Sequence, residues 1–236
     1  MAKNSKLKTI LVKNEASYDA STTPTGSANA VKVTSLELTP IVADEVSREV
    51  IRPYLGNQEV LLANQRVEVG VTVEMTGSGA AGTAPKYSPL LESSGLALTT
   101  VSSTSNTYSP ESSSFGSCTI WCNYDGVLHK ITGCRGTFSI NLEVNQIPSI
   151  TFTMTGLKGT ITDTALPTTT FSNQASPVIV NSSNTDNFSI FGYSGILQNW
   201  SFDMNNSVIY RELVGGIKSV LITDRTPSGN LSVEMP

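Results

Sequence analysis

Histidine occurs once in these 236 residues, at position 129, and cysteine only three times. A Ser-His-Asp or Cys-His mechanism would therefore have to run through His129 alone. Charged residues are scarce at 14%, and 15 Lys plus Arg against 19 Asp plus Glu leave a net charge of −4. Phosphate binding needs a basic footprint, so a protein that grips nucleic acid is disfavoured. No window approaches the roughly 20 apolar residues of a membrane-spanning helix. The opening stretch MAKNSKLKTILVKNE has lysines but no apolar core of signal-peptide length. An odd cysteine count without such a signal points to a reducing compartment and away from a disulfide framework. Phosphate-loop, dinucleotide, HExxH and G-x-S-x-G patterns are also missing, and the Gly-rich Thr76 to Thr83 does not lead into a Lys-Ser/Thr step.

What is present suits a folded β protein. Hydrophobic residues make up 39%, with Gly 18 and Pro 11, enough for a core and unlike a disordered chain, a collagen or a coiled coil. The dominant period is two. Val67, Val69, Val71, Val73 and Met75 alternate with Arg66, Glu68, Gly70, Thr72 and Glu74, which predicts a strand over 65–75 with one core face and one wet face. Similar alternation marks Phe138 to Val144, Ile150 to Met154, Trp200 to Met204, and Leu231 with Val233. Turn signals separate them at Asp125-Gly126, Asn145-Gln146 with Pro148, Pro227-Ser228-Gly229 and the Gly-rich 76–83 stretch. One segment differs. Ser88 as a cap, Pro89 in the first turn, Glu92 and a stop at Gly95 predict a single short helix over 88–95, packed through Leu90 and Leu91. The polar stretches 99–117 and 164–187 read as loops or polar edge strands. No composition shift divides the chain, so 1–236 is expected to be one domain.

Cys118, Cys122, His129 and Cys134 are zinc-type ligands within seventeen positions. Asp125-Gly126 instead predicts a type I′ hairpin pairing Tyr124 with Val127, Asn123 with Leu128 and Cys122 with His129. In that register Cys118 lies about 13 Å along the strand from Cys122. Cys134 would pair with Ser117 and point to the opposite face, so no metal is expected. A Cys122–His129 dyad is weighed against an ordinary cross-strand contact, and the contact is preferred. Glu68 and Glu74, six strand residues and about 20 Å apart, are too distant for a glycosidase pair. They read as a solvated acidic face.

Four collinear stretches carry a resemblance: KNEASYDASTTPTGSANAV from Lys13, REVIRPYLGNQEVLLANQRVEVGVTVEMTGSGAAGTAPKYSPLLESSG from Arg48, DGVLHKITGCRGTFSINLEVNQIPSITFTMTGL from Asp125, and YRELVGGIKSVLITDRTPSGNLSVEMP from Tyr210. Together they resemble the tail tube (major tail) proteins of bacteriophages with long non-contractile tails. The stretches 99–117 and 164–187 match poorly, and the cysteines are not part of the pattern. The resemblance implies a mainly β, sandwich or barrel fold with one flanking helix, and hexameric rings stacked around a DNA lumen. It implies no enzyme and no cofactor. The expected partners are further copies, the tape measure, tail terminator and distal tail proteins, and phage DNA that passes without specific binding. The expected place is the virion tail, assembled in the host bacterial cytoplasm.

On that footing Glu68, Thr72 and Glu74 would face the lumen. The connection carrying Arg48, Arg52, Tyr54, Leu55 and Asn57, with its centre around 53–64, and the extended N-terminal stretch would contact the adjacent ring. A head-decoration or adhesin-like β-sandwich shares the strand pattern without the collinear motifs, and the inner tube of a contractile tail is a neighbouring reading.

Overall fold

The computed structural model describes residues 4, 6–20, 22–185 and 188–234. The first residues of the expected N-terminal arm (1–3 and 5) and Asn187 lie outside them. In chain order the elements are β1 (Lys8–Asn14), α1 (Gly26–Asn29), β2 (Ser35–Ser47), β3 (Val60–Glu74), α2 (Ser88–Glu92), β4 (Leu96–Val101), β5 (Ser105–Pro110), β6 (Cys118–Tyr124), β7 (Val127–Glu143), β8 (Ser149–Asp163), β9 (Ser189–Ile190), β10 (Tyr193–Ser194), β11 (Ile196–Asp203), β12 (Asn206–Arg211), β13 (Ser219–Arg225) and β14 (Ser228–Glu234). The fold is mainly β, with an antiparallel sheet and two short helices, consistent with a β-sandwich.

The main sheet runs β1-β6-β7-β8-β3-β2. The seventeen-residue β7 changes partner along one edge: its first half pairs with β6, and Ser139 to Glu143 pair with β11, which in turn pairs with β14. The sheet curls so that its edges approach, and the Lys8 ammonium on β1 donates to the Leu36 carbonyl on β2 at 3.2 Å. Inside the curl lies one cluster. Val67, Val69, Val71 and Val73 from β3 meet Ile150, Phe152 and Met154 from β8, Ile10 and Val12 from β1, and Leu90 and Leu91 from α2. The alternation read from sequence holds through Val73. Met75, expected inward, lies past the strand end and is 41% exposed. Each fully buried aliphatic here contributes about 1.5–3 kcal/mol.

The helix starts where expected but is capped differently. Tyr87 occupies the N-cap without a side-chain cap, and Ser88 is the first helical residue, its hydroxyl donating to Glu92 Oε1. The Ser93 and Ser94 hydroxyls bond back to the Pro89 and Leu90 carbonyls, and Gly95 at φ 84° ends the turn. The second helix, α1, was not expected. It is one turn held by reciprocal bonds, the Ala28 N–H to Thr25 Oγ1 and the Thr25 N–H to Asn29 Oδ1, similar to a capping box but with the returning side chain one position later. Residues 99–117 resolve into the β4–β5 hairpin and a loop. Residues 164–185 form no strand, though Gln174 bonds both the N–H and the carbonyl of Lys32.

The β6–β7 hairpin turns at Asp125 (φ 45°) and Gly126 (φ 93°), and Cys122 opposes His129 as expected. Beyond Ile120 the expected register fails: Cys118, not Ser117, opposes Cys134. The cause is a bulge on β7, where Gly133 at φ 58° inserts an extra residue against both neighbours. All three cysteines therefore reach the core. Burial pushes the Cys122 thiol up to about 12 and holds Cys134 well above its ordinary value, so neither is a thiolate at neutral pH. A thiol-reactive disulfide dye should label none of them in the native protein and all three after unfolding; rapid native labelling would show that the core opens. Burial also lowers the His129 pKa, which favours the neutral ring.

Candidate functional site

β3 joins the two predicted groups of residues. Its second half displays Glu68, Thr72 and Glu74 on the face opposite the buried valines, because successive side chains alternate. Cross-strand partners extend that face in register. One row reads Ser35, Thr72, Thr151, Ser139, Asp203 and Ser228 across β2, β3, β8, β7, β11 and β14. The rows beside it read Glu37, Gly70, Thr153, Thr137 and Glu74, Ser149, Asn141, Ser201, Asn230. Directly opposed residues share a face, so this is one continuous polar surface.

Its chemistry is hydroxyl-rich and acidic. The Thr72 and Thr151 hydroxyls bond each other at 3.2 Å. Glu37, Glu68, Glu74, Glu143 and Asp203 supply negative charge. Arg66 offsets part of it, with Nε 3.5 Å from Glu68 Oε1 and Nη1 3.8 Å from Asp44 Oδ1. Arg135 stands in the row with Glu68 and Thr155, but its guanidinium is taken up by the Phe115, Gly116 and Val220 carbonyls and the Tyr18 ring. Glu74 has no ion-pair partner among the described residues.

The other end of β3 leaves the sheet. β2 and β3 continue as a two-stranded ribbon, with Asp44 to Ser47 pairing Ala63 to Val60, after β8 has parted from β3 at Arg66. The connection itself is residues 48–59, because 60–64 are strand. Arg48 pairs with Glu59 across its base, and the Arg52 guanidinium donates to the Asn57 carbonyl at 2.9 Å and lies 5.4 Å from the Tyr54 ring centre. These bonds shape the tip without burying it. Ile51 and Leu55 are fully exposed, Tyr54 is mostly exposed, and Val46, Val50, Val60, Leu61 and Leu62 are about half exposed. A contiguous exposed apolar projection is the kind of surface that another protein commonly covers. By contrast, the N-terminal stretch is integrated into the fold from Lys8 onward through β1 and β6.

Sequence reasoning missed most of the polar face. The alternation of Thr151, Thr153 and Thr155 with Ile150, Phe152 and Met154 was the available signal on β8, but nothing local placed β8 beside β3. It also missed the β12–β13 hairpin, whose turn exposes Leu213, Val214 and Ile217. A cleft of ≈ 290 Å³ separates this hairpin from the ribbon base, lined by residues that include Leu62, Gln65, Lys158, Tyr210 and Glu212. Glu212 accepts from the Tyr210 hydroxyl and pairs with Lys218 at 2.8 Å. Lys218 and Tyr210 hold the Glu212 carboxyl below its usual range, while burial and Glu212 push Tyr210 up to about 12. Among the described residues, no three His, Cys, Asp or Glu side chains are grouped to hold a metal ion.

Comparison with curated proteins gives no match. A family model described as phage tail tube protein matches residues 5–236, nearly the whole length and both halves of the site. The chain belongs to the phage tail tube protein family.

Proposed function

We propose that the chain closes into hexameric rings that stack into the tail tube, with the polar sheet face lining a conduit for DNA and the 48–59 connection joining successive rings. The family makes the chain a structural component of a phage tail, which assembles with itself and with other tail proteins. The observation that carries the lumen assignment is the unbroken six-strand row of small polar side chains.

Phosphate binding requires cations that release counterions, and this face offers little beyond Arg66 against five carboxylates. Six copies at −4 carry −24 per ring. A duplex inside such a bore is repelled from every side and finds no donor array to hold it. Hydroxyls, hydrated and uncharged, add no attraction of their own. The reading extends the predicted lumen set of Glu68, Thr72 and Glu74 to Glu37, Thr151, Thr153 and Asp203.

Negative-stain electron microscopy of the concentrated, purified protein tests the assembly. Stacked rings with a hollow axis are expected; a population of discrete, unstackable particles would overturn it. The conduit has a separate test. Changing Glu68 and Glu74 to Lys adds +4 per subunit and brings the ring from −24 to zero. Tubes should still form, because neither side chain is in the core, while genome ejection should slow severalfold. Unchanged ejection kinetics would remove these residues from the lumen.

A further inference from the structure

The ribbon projects from one end of the sheet, and a second unpartnered apolar feature lies at the other. β3 runs from Val60 at the ribbon to Glu74, about 45 Å at 3.3 Å per residue. The antiparallel ladders then place Ser149, Glu143 and Asn199 at the Glu74 end. Just beyond them is a cleft of ≈ 350 Å³, lined mainly by Val144, Val180, Phe188, Ile196 and Leu197. It is a built feature. The Asn145 N–H donates to the Val180 carbonyl at 2.8 Å, the Val180 N–H to the Gln146 carbonyl at 3.0 Å, and the Val144 N–H to the Gln198 carbonyl at 3.2 Å. The exposed Ile147, Val178 and Ile179 lie next in sequence to those residues.

We infer that this cleft receives the ribbon tip of the next copy along the tube, with Leu55 and Ile51 entering it and Arg52 meeting the carboxylates beside it. The inference rests on the reading of the 48–59 connection as a ring-to-ring contact. Three observations support the match. The tip and the cleft sit at opposite ends of the strand axis, so one copy's tip reaches another copy's cleft head to tail, a contact that propagates instead of closing. The tip is apolar and the cleft largely so, open to water through Ile196 and Val144, with Asn181, Ser182 and Thr185 also in its lining and Val180 buried. Their charges complement each other at the tip, although Glu49 at the loop base leaves residues 48–59 with no net charge. Residues 50–57 carry a single charge, Arg52, which has no acidic partner among the described residues. Glu143 immediately precedes Val144, Glu234 pairs in register with Ile196, and neither has a cationic partner among the described residues.

A paired-cysteine experiment tests it. Leu55→Cys combined with Ile196→Cys places one new thiol at each proposed surface, while the native cysteines are buried. Tubes of the double variant, pelleted and oxidised with oxidised glutathione, should give a ladder of multimers on a non-reducing gel. The thiols lose two hydrogens and glutathione gains them. Either single variant should stay a monomer, and tubes of the double variant without a ladder would overturn the inference. Charge reversal separates its failure from that of the underlying reading. Arg52→Glu should cut assembly at least tenfold, and adding Glu143→Arg should restore it. If Arg52→Glu and removal of the tip both leave tubes intact, the ring-to-ring reading falls, and the cleft with it. If tip variants stop assembly while Leu197→Glu, folded by circular dichroism, forms normal tubes, only the cleft assignment falls.

Discussion

Replacing residues 50–57 with a two-residue Asn-Gly turn is expected to abolish tube formation while leaving a monomer that unfolds cooperatively and near the unmodified temperature. The two halves of the expectation have separate grounds. For the monomer, every side chain from Val50 to Asn57 is at least partly open to solvent, and the Arg48 to Glu59 contacts below the tip are retained. Shortening an exposed loop changes closure entropy by well under about 1 kcal/mol. For the polymer, Ile51, Tyr54 and Leu55 stand free of their own subunit and would be covered only by another. Burying such side chains is worth about 1.5–3 kcal/mol each. Their joint loss is then roughly 5 kcal/mol or more per contact, over three orders of magnitude in affinity. Sedimentation and electron microscopy read the polymer, and thermal circular dichroism reads the monomer. Normal tubes from the truncated chain would refute the role of the tip. Charge reversal at Arg48 is the less clean probe, because it also breaks the pair with Glu59 that shapes the loop base.

Glu15→Ala should be the most damaging single change away from the aliphatic core, lowering stability by roughly 3–5 kcal/mol. Its carboxylate accepts four hydrogen bonds: from the Asp19 N–H, the Ser117 hydroxyl at 2.6 Å, the Thr119 hydroxyl at 2.7 Å and the Gly133 N–H at 2.8 Å. Ser117 and Thr119 are buried, and the Gly133 N–H belongs to the bulge that shifts β7 against β6. Without the carboxylate these donors have no replacement, and each unsatisfied buried group costs about 1–3 kcal/mol. Glu15→Gln should be milder, since its carbonyl oxygen retains part of the acceptor role. Urea unfolding of the two variants measures the difference. A loss below about 1 kcal/mol for Glu15→Ala would mean that water satisfies the bulge instead.

The same bulge shows where the sequence stopped being readable. Asp125-Gly126 carried the hairpin register correctly as far as Ile120 and Ile131, because turn type fixes pairing locally. Gly133, between Thr132 and Cys134, looks like any strand glycine. What makes it a bulge is a carboxylate at Glu15, and the Tyr18 ring that packs where a Cβ would stand. Similarly, the alternation at Val67 to Val73 located the wet face of β3 and, with it, Glu68, Thr72 and Glu74. It could not supply Asp203 or Ser228, which join that face only through ladders closed across the whole chain. The ribbon was visible as a long connection. Its length was not, since Val60 to Leu62 have no alternation to mark them as strand, being exposed on both sides.

β1 has a consequence for how the protein comes to exist. Lys8 to Asn14 pair with Tyr124 to Cys118, so the first strand finds its partner only after more than a hundred further residues. During synthesis, at about 5–20 residues per second, that strand waits about 5–20 seconds for β6, with only the bridge to Ala30 and the Val31 N–H to the Ile10 carbonyl within early reach. Contacts this distant in sequence make folding slow, because a large loop must close before the contact rewards it. Ile10 and Val12 are apolar and β-branched, so the waiting strand is prone to pair with a neighbouring nascent chain. Lys8 and Lys13 flank them, and charges beside an apolar strand oppose such pairing until β6 emerges.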